Sequence, residues 1–227
     1  MTPEALARVM EATWPPARVW RQGPFLLRDG AGGGKRVSAA SCADDWTEAD
    51  LETLDHGLML IRPGDEALDA ALETRGWRVV DPVAAYAAPV DQLAAELPPL
   101  TDFPHWPPLE ITRSIWAEGG IGPERVGVML RAEGPRTAIL ARHEDRPAGA
   151  AFVALAGDQA MIHALEVRQS VRRRGIGTSL LRGAANWAAE AGARELSLVV
   201  TRQNAAACAL YTRLGMQVVG QYHYRMK

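Results

Sequence analysis

Two stretches of this chain align without a gap: LMLIRPGDEALDAALETRGWRVV at 58–80 and SLVVTRQNAAACALYTRLGMQVV at 197–219. Setting Gly76 on Gly215 brings Ala67, Ala70, Val79 and Val80 onto identical residues, and Asp65 onto Asn204. Each copy reads as an apolar strand, a polar turn, a helix, a glycine stop and a second strand. Such a helix cannot bury its apolar stripe alone and needs a sheet beneath it. Any β-α-β unit ends in this way by habit, but the register held over the whole unit favours a degenerate duplicate. The expected fold is therefore α/β, a mixed sheet with helices on both faces, preceded by a partial copy of the same unit.

The clearest boundary is ELPPLTDFPHWPPLE at 96–110, where five prolines deprive the backbone of donors. It divides the chain into 1–96, a proline-rich linker at 97–108, and 109–227. In the first part, GPFLLRDGAGGGKRVSAAS reads as two extended runs about a glycine turn. TEADLETLD reads as a short helix with Thr47 as N-cap and Asp50 three positions on. After the linker, helices are expected around 111–117 and 123–132, and a hairpin about HEDRP at 143–147. A strand AMIHALEV, a helix from Gly175 to about Ala191 stopped by Gly192, a strand ELSLVV, a helix NAAACALYTRLG and a final strand follow. The order is α-α-β-β-β-α-β-α-β.

Composition limits the function classes. With 25 basic and 27 acidic residues the net charge is −2, so no global field gathers nucleic acid. No apolar run approaches the ~20 residues of a membrane span, and the N-terminus lacks a signal-peptide core. The two cysteines, Cys42 and Cys208, have no CxxC or metal-ligand neighbour, which suits reduced thiols in the cytoplasm. Cys208, inside an alanine-rich helix, reads as a small buried apolar residue. The five histidines are scattered at 56, 105, 143, 163 and 223, and no metal constellation is expected.

Against that background, VRRRGIGTSLL at 171–181 is a local feature. A helix start leaves its first N–H groups unpartnered and carries about half a positive charge, so it attracts anions. Gly175 and Gly177 would remove side chains from the approach, leaving N–H groups free to wrap a diphosphate, with arginines at the rim. A dinucleotide fingerprint fails because Leu180 stands where its third glycine belongs. The other glycine run, GAGGGKR at 30–36, misses the P-loop spacing and reads as a hairpin turn.

Arg172-x-x-Gly175-x-Gly177 follows a strand ending Leu165-Glu166-Val167. About thirty residues on stands Asn204-x-x-Ala207-x-x-Leu210-Tyr211-x-x-x-Gly215-Met216. Together these resemble the GNAT superfamily of acyl-CoA-dependent N-acetyltransferases over residues 109–227, and the first part resembles a partial GNAT unit, as in tandem members. The resemblance implies acetyl-CoA as co-substrate and no metal. It implies that the backbone at Leu165 and Val167 splays from its neighbour to hold the acetyl carbonyl and pantetheine. Arg172, Arg173, Arg174, Gly175, Ile176, Gly177 and Thr178 would bind the pyrophosphate, Asn204 and Ala207 would lie along the pantetheine, and Tyr211 beside the thioester sulfur. The family often has proline at the place of Gln169 and glycine at that of Arg173; neither change removes an amide donor at 173–178.

Acetyl transfer needs a neutral amine and a protonated leaving thiol. An alkyl ammonium with a pKa near ~10.4 must first lose its proton, which a general base assists. Glu166 is the carboxylate nearest the acetyl site in sequence, with His163 second on the same strand. Strand alternation puts Glu166 with Ala164, and His163 with Leu165. Tyr211 can donate to the departing sulfur, and the Val167 N–H can stabilise the oxyanion. The acceptor would be a small-molecule or peptide amine, held by 117–125, a final hairpin and the first half. No nucleic acid or membrane partner is expected, and homodimerisation stays open. The alternative is a CoA-binding sensor without turnover.

Overall fold

The computed structural model describes all of residues 1–227. The chain opens with α1 (Pro3–Thr13), its first turn carrying Pro3 and capped by Thr2. The hairpin β1 (Arg18–Gln22) and β2 (Phe25–Asp29) leads into a one-turn helix α2 (Lys35–Ser38) and a short strand β3 (Ala40–Cys42). Next come α3 (Glu48–Thr53), β4 (Leu58–Ile61), α4 (Glu66–Thr74), the long β5 (Arg78–Pro89) and a one-turn α5 (Val90–Leu93). The second half contains β6 (Asp102–His105), α6 (Glu110–Glu118), α7 (Pro123–Arg131), β7 (Arg136–His143), β8 (Arg146–Ala156) and β9 (Gln159–Val167). A single 3₁₀ turn, Gln169–Val171, leads to α8 (Ile176–Glu190), β10 (Glu195–Thr201), α9 (Ala205–Arg213) and β11 (Gln217–Met226).

Most local expectations hold. Thr47 and Asp50 form a reciprocal capping box on α3. The turn between β7 and β8 puts Glu144 and Asp145 at positive φ, 49° and 59°, the twist a two-residue hairpin requires. Gly192, at φ +91°, closes α8. From α6 onward the element order is the expected one. The glycine run is not a simple hairpin turn. β2 and β3 do pair antiparallel, but Gly34 opens a helical turn between them, and Cβ atoms on Gly32 and Gly33 would collide with Glu124 and Val128 of α7. The glycines let the two halves approach. The linker also carries structure, because Asp102–His105 pairs with Ala138–Ala141 as an edge strand. Pro104 sits there without harm, since its missing N–H is not needed at an edge.

All eleven strands lie in one mixed sheet, ordered β1-β2-β3-β4-β11-β5-β10-β9-β8-β7-β6. The aligned repeats fall on matching elements. Under the register of Gly76 on Gly215, β4 meets β10, α4 coincides with α9, and β5 begins where β11 begins. Their last strands are exchanged: β5 pairs with β10 over seven residue pairs, while β11 pairs with β4. Both strands bury residues on both faces where they run through the middle of the sheet, Ala84–Ala88 of β5 and Tyr222–Arg225 of β11.

α4, α5, α8 and α9 cover one face, and α1, α6 and α7 the other. Under α8, Leu180 and Leu181 are fully buried against β7–β9, each contributing about 2 kcal/mol. Trp14, Trp116 and Phe152 anchor the opposite side. No helix is long and apolar enough to cross a membrane.

Candidate active site

β9 and β10 run parallel but pair only from Gln159/Glu195 to Ile162/Leu198. Beyond that they part, β9 continuing to Val167 and β10 to Thr201, and a wedge opens in the middle of the sheet. Leu165 and Val167 line the α8 side of it, packed beside Val171, Ala207 and Leu210.

Directly after β9 the chain folds into the arginine–glycine loop. Arg173 and Gly175 both take left-handed backbone, φ +66° and +85°. The amides of Arg173, Arg174, Gly175, Ile176, Gly177 and Thr178 find no acceptor in the chain; the ladder of α8 begins with Ser179 N–H bonding Gly175 O at 3.0 Å. Six consecutive donors thus crown the start of a fifteen-residue helix. The two glycines have different physical reasons. Nothing lies within 4 Å of a Cβ on Gly175, so its left-handed φ is what requires glycine. A Cβ on Gly177 would stand 3.1 Å from Leu210 Cδ2, so this glycine sets the approach of α8 to α9.

Of the arginines, Arg172 turns back onto β9, its Nε donating to Val167 O and its Nη2 to Glu166 Oε1, both at 3.1 Å. Arg173 and Arg174 are exposed and unpaired. Asn204 caps α9, its Oδ1 accepting the Ala207 N–H at 3.1 Å, which leaves its amide NH₂ as the donor available. Tyr211 is 6% exposed and stacks obliquely on Tyr86, with ring centroids 5.5 Å apart. Its hydroxyl makes no hydrogen bond in the chain, and burial pushes its pKa up to about 12, so it stays protonated. Cys208, one turn before it, is half-buried and not in the core. Cys42 is likewise free.

On the α1 side of the sheet the alternation of β9 is broken. Ala164 has φ +51°, its carbonyl accepts Trp116 Nε1–H at 2.8 Å, and the pairing with β8 slips between Ala150 and Phe152. This bulge corrects one expectation: His163 does not share a face with Leu165 but joins Ala164 and Glu166 on the opposite side. Nor is His163 an available base. It is buried, stacks on Trp14 at 4.9 Å, and its two nitrogens meet Thr13 Oγ1 and Arg36 Nη1, each at 2.8 Å. Since the guanidinium can only donate, Nδ1 must accept, and Nε2–H donates to Thr13. Burial and Arg36 hold the ring neutral, its pKa well below the ordinary histidine value. Glu166 keeps one oxygen, Oε2, free of hydrogen bonds, against the C-terminal end of α6 at Gly119.

Below Ala164 and beside Val199–Thr201 lies a cavity of about 300 Å³. Ile121 and Arg125, and Tyr222 and Tyr224 of β11, form part of its wall, but β11 pairs with β5 and β4 and so makes no final hairpin. The rest comes from the first half: Trp14, Gly33–Arg36, Asp81 and Val83. Asp81 is aimed inward by a second bulge, where Asp81 and Pro82 oppose His223 alone and Asp81 takes φ +46°. Sequence reasoning missed Arg36, Asp81 and Trp14. The one available sign was the glycine run just before Arg36, which was given to a turn. No group of three metal-ligating side chains occurs.

A family model described as the acetyltransferase (GNAT) family matches residues 99–216, and the chain belongs to that family. The match takes in the edge strand β6 and the whole wedge. Over its full length the chain resembles the uncharacterized N-acetyltransferase YobR of Bacillus subtilis, at 23% identity covering 98% of this chain and 97% of that protein. Among solved structures, a GCN5-related N-acetyltransferase from Kribbella flavida superposes with TM-score 0.71 at 19% identity, over 100% of this chain and 96% of that one. A tandem GNAT protein from the clavulanic acid biosynthesis pathway gives TM-score 0.57 at 16% identity, over 97% and 86%.

Proposed function

We propose that this protein transfers the acetyl group of acetyl-CoA to a primary amine of a small molecule or peptide, by direct attack in a ternary complex. The observation that carries this reading is the run of six open amide donors, Arg173–Thr178, beside a wedge whose other face holds a cavity. A diphosphate fits such a cradle, because donors and helix dipole act together on one anion. Acetyl-CoA, when bound, supplies an acetyl group activated as a thioester.

The chain's own residues supply the rest. The Val167 N–H faces the developing oxyanion, and Leu165 and Asn204 hold the pantetheine arm. The acceptor nitrogen loses a proton to Glu166, directly or through one water, while the C–N bond forms and the C–S bond breaks. The Tyr211 hydroxyl delivers a proton to the departing sulfur.

The same proposal makes residues 1–96 a degenerate GNAT-like unit and 109–227 the catalytic one, joined through 97–108. The matched repeats, the exchanged strands and the likeness to a tandem GNAT protein support it. Two unpaired thiols suit a cytoplasmic protein.

The test is thiol release from acetyl-CoA over a panel of amines and peptides. Tight CoA binding with no release on any acceptor would instead favour a sensor. Glu166→Gln separates base from support. A base loses the acidic limb of the kcat/KM profile, whereas a residue that only positions Arg172 raises KM for acetyl-CoA and leaves the profile's shape.

A further inference from the structure

We infer that the acceptor amine carries an anionic group, a carboxylate or a phosphate, which Arg36 and Arg125 receive in the cavity on the α1 side of the sheet. The inference rests on the acetyl-transfer reading and narrows its substrate class.

Four charged side chains reach this cavity. Lys35 and Asp81 form an ion pair at 2.8 Å and cancel. Arg36 and Arg125 have no carboxylate within salt-bridge distance, so the wall keeps an excess of two positive charges in a chain whose net charge is −2. Glu11, on the neighbouring stretch of α1, is already taken by Arg28 at 3.1 Å.

Arg36 is built into place. Its guanidinium lies 5.7 Å from the Trp14 ring centroid, and Nη1 is fixed by His163 Nδ1. Because that histidine is neutral, it orients the guanidinium without cancelling its charge. Nε and Nη2 find no acceptor in the chain, leaving three N–H donors on two nitrogens of the planar fork. Arg125 reaches across from the first turn of α7 and lies over Gly34, its Nε 3.6 Å from where a Cβ would stand. One cation from each half thus meets at the same wall, and only because Gly32 and Gly33 leave room for α7.

The rest of the cavity fits a small ligand with opposite ends. Tyr222, Tyr224 and Trp14 give it aromatic sides, and about 300 Å³ is at the small end of ligand pockets, closer to an amino acid than to a peptide. Asp81 stays paired with Lys35 and leaves the two arginines as the open charges of the wall, so the amine end of the ligand is free to extend toward the wedge. A polyamine or an unmodified alkylamine would leave both arginines unanswered.

The experiment compares acceptors matched in length: γ-aminobutyrate with butylamine, β-alanine with propylamine, and phosphoethanolamine with ethanolamine. The kcat/KM ratio, anionic over neutral, is expected to exceed about 10-fold in at least one pair, and the carboxylate and phosphate arms tell the two anions apart. Arg36→Gln and Arg125→Gln should each lower that ratio by about 10–100-fold, as loss of a charge-assisted hydrogen bond implies. Arg125 is exposed on α7, so its variant reports even where Arg36→Gln disturbs His163. Neutral amines used as well as anionic ones, or an unchanged ratio in both variants, would overturn the inference while leaving acetyl transfer intact. No thiol release from any acceptor would instead sink the acetyl-transfer reading. In that event calorimetry with γ-aminobutyrate, phosphoethanolamine and butylamine on the CoA-bound protein decides the anion site. Anion-selective binding lost in Arg125→Gln supports it, and equal or absent binding rejects it.

Discussion

At the scale of single residues, backbone atoms do much of the work that the arginines suggest. Arg173 occupies a left-handed conformation that costs a non-glycine residue about 1 kcal/mol, and its side chain bonds nothing. Arg173→Gly should therefore leave CoA affinity within about threefold by calorimetry. Stability should stay within about 0.5 kcal/mol, relief of strain offsetting the added freedom of the unfolded chain. Tyr211 is the opposite case, since its hydroxyl is the part that matters. That hydroxyl has no partner in the chain, so Tyr211→Phe should spare the fold while lowering kcat about 100-fold, with acetyl-CoA binding retained. A steady-state assay beside a thermal melt separates the two effects; equal losses in stability and turnover would reduce Tyr211 to a core aromatic.

At the scale of elements, the site depends on how α8 is held. Its first turns pack on α9 through Gly177 and Leu210, and on the edge strand β6 through Ser179 Oγ–H, which donates to Asp102 Oδ2 at 2.5 Å. The other oxygen of Asp102 is buried without a partner, and burial raises its pKa above the ordinary carboxylate value. A carboxyl raised on folding stabilises the native state below its unfolded pKa and loses that contribution as pH rises through the folded value. Asp102→Asn keeps an acceptor for Ser179 and removes the buried charge. It should raise Tm at pH 7 by about 2 °C, and the gap should close as pH falls toward the ordinary carboxylate range. A melt series across that range checks it. The bulge at Ala164 is also an element-scale device. It moves His163 to the α1 side of the sheet and fixes it against Arg36, turning a candidate base into a support for the cavity wall.

At the scale of the whole molecule, the exchange of β5 and β11 makes the halves one folding unit. β10 would lose a neighbour along its full length without β5, and β11 would lose both its partners. The exchange is locked by Arg225 of β11, whose buried guanidinium donates to Asp69 of α4 at 2.6 Å and to Trp77 O at 2.9 Å. Residues 1–96 and 97–227 expressed separately should each be insoluble or unfolded by circular dichroism, and soluble when co-expressed. A soluble, CoA-binding 97–227 fragment would refute the interlock. Asp69→Ala in the intact chain should cost about 2–3 kcal/mol, because it leaves a buried guanidinium short of its acceptor.

The elements of the second half and the arginine–glycine loop were legible because their signals are local. Helix period, glycine stops, proline breaks and the spacing of Arg172, Gly175, Asn204 and Tyr211 are fixed within a few turns of chain. Even the likeness of the two β-α-β stretches could be read, since it is a comparison of one short stretch with another. The strand exchange, the bulge at Ala164 and the cavity could not. Which strand lies beside β10 is settled by burial summed over an eleven-stranded sheet, and neither β5 nor β11 carries a local mark of it. Arg36 and Arg125, nearly ninety residues apart, form one wall only when the glycines at 32 and 33 let α7 close on the first half. By itself the sequence determined the layers, the family and the helix start that follows the arginine–glycine run, because short-range geometry suffices for them. The cavity on the α1 side was decided by tertiary structure, because it is made of side chains that only long-range packing brings together.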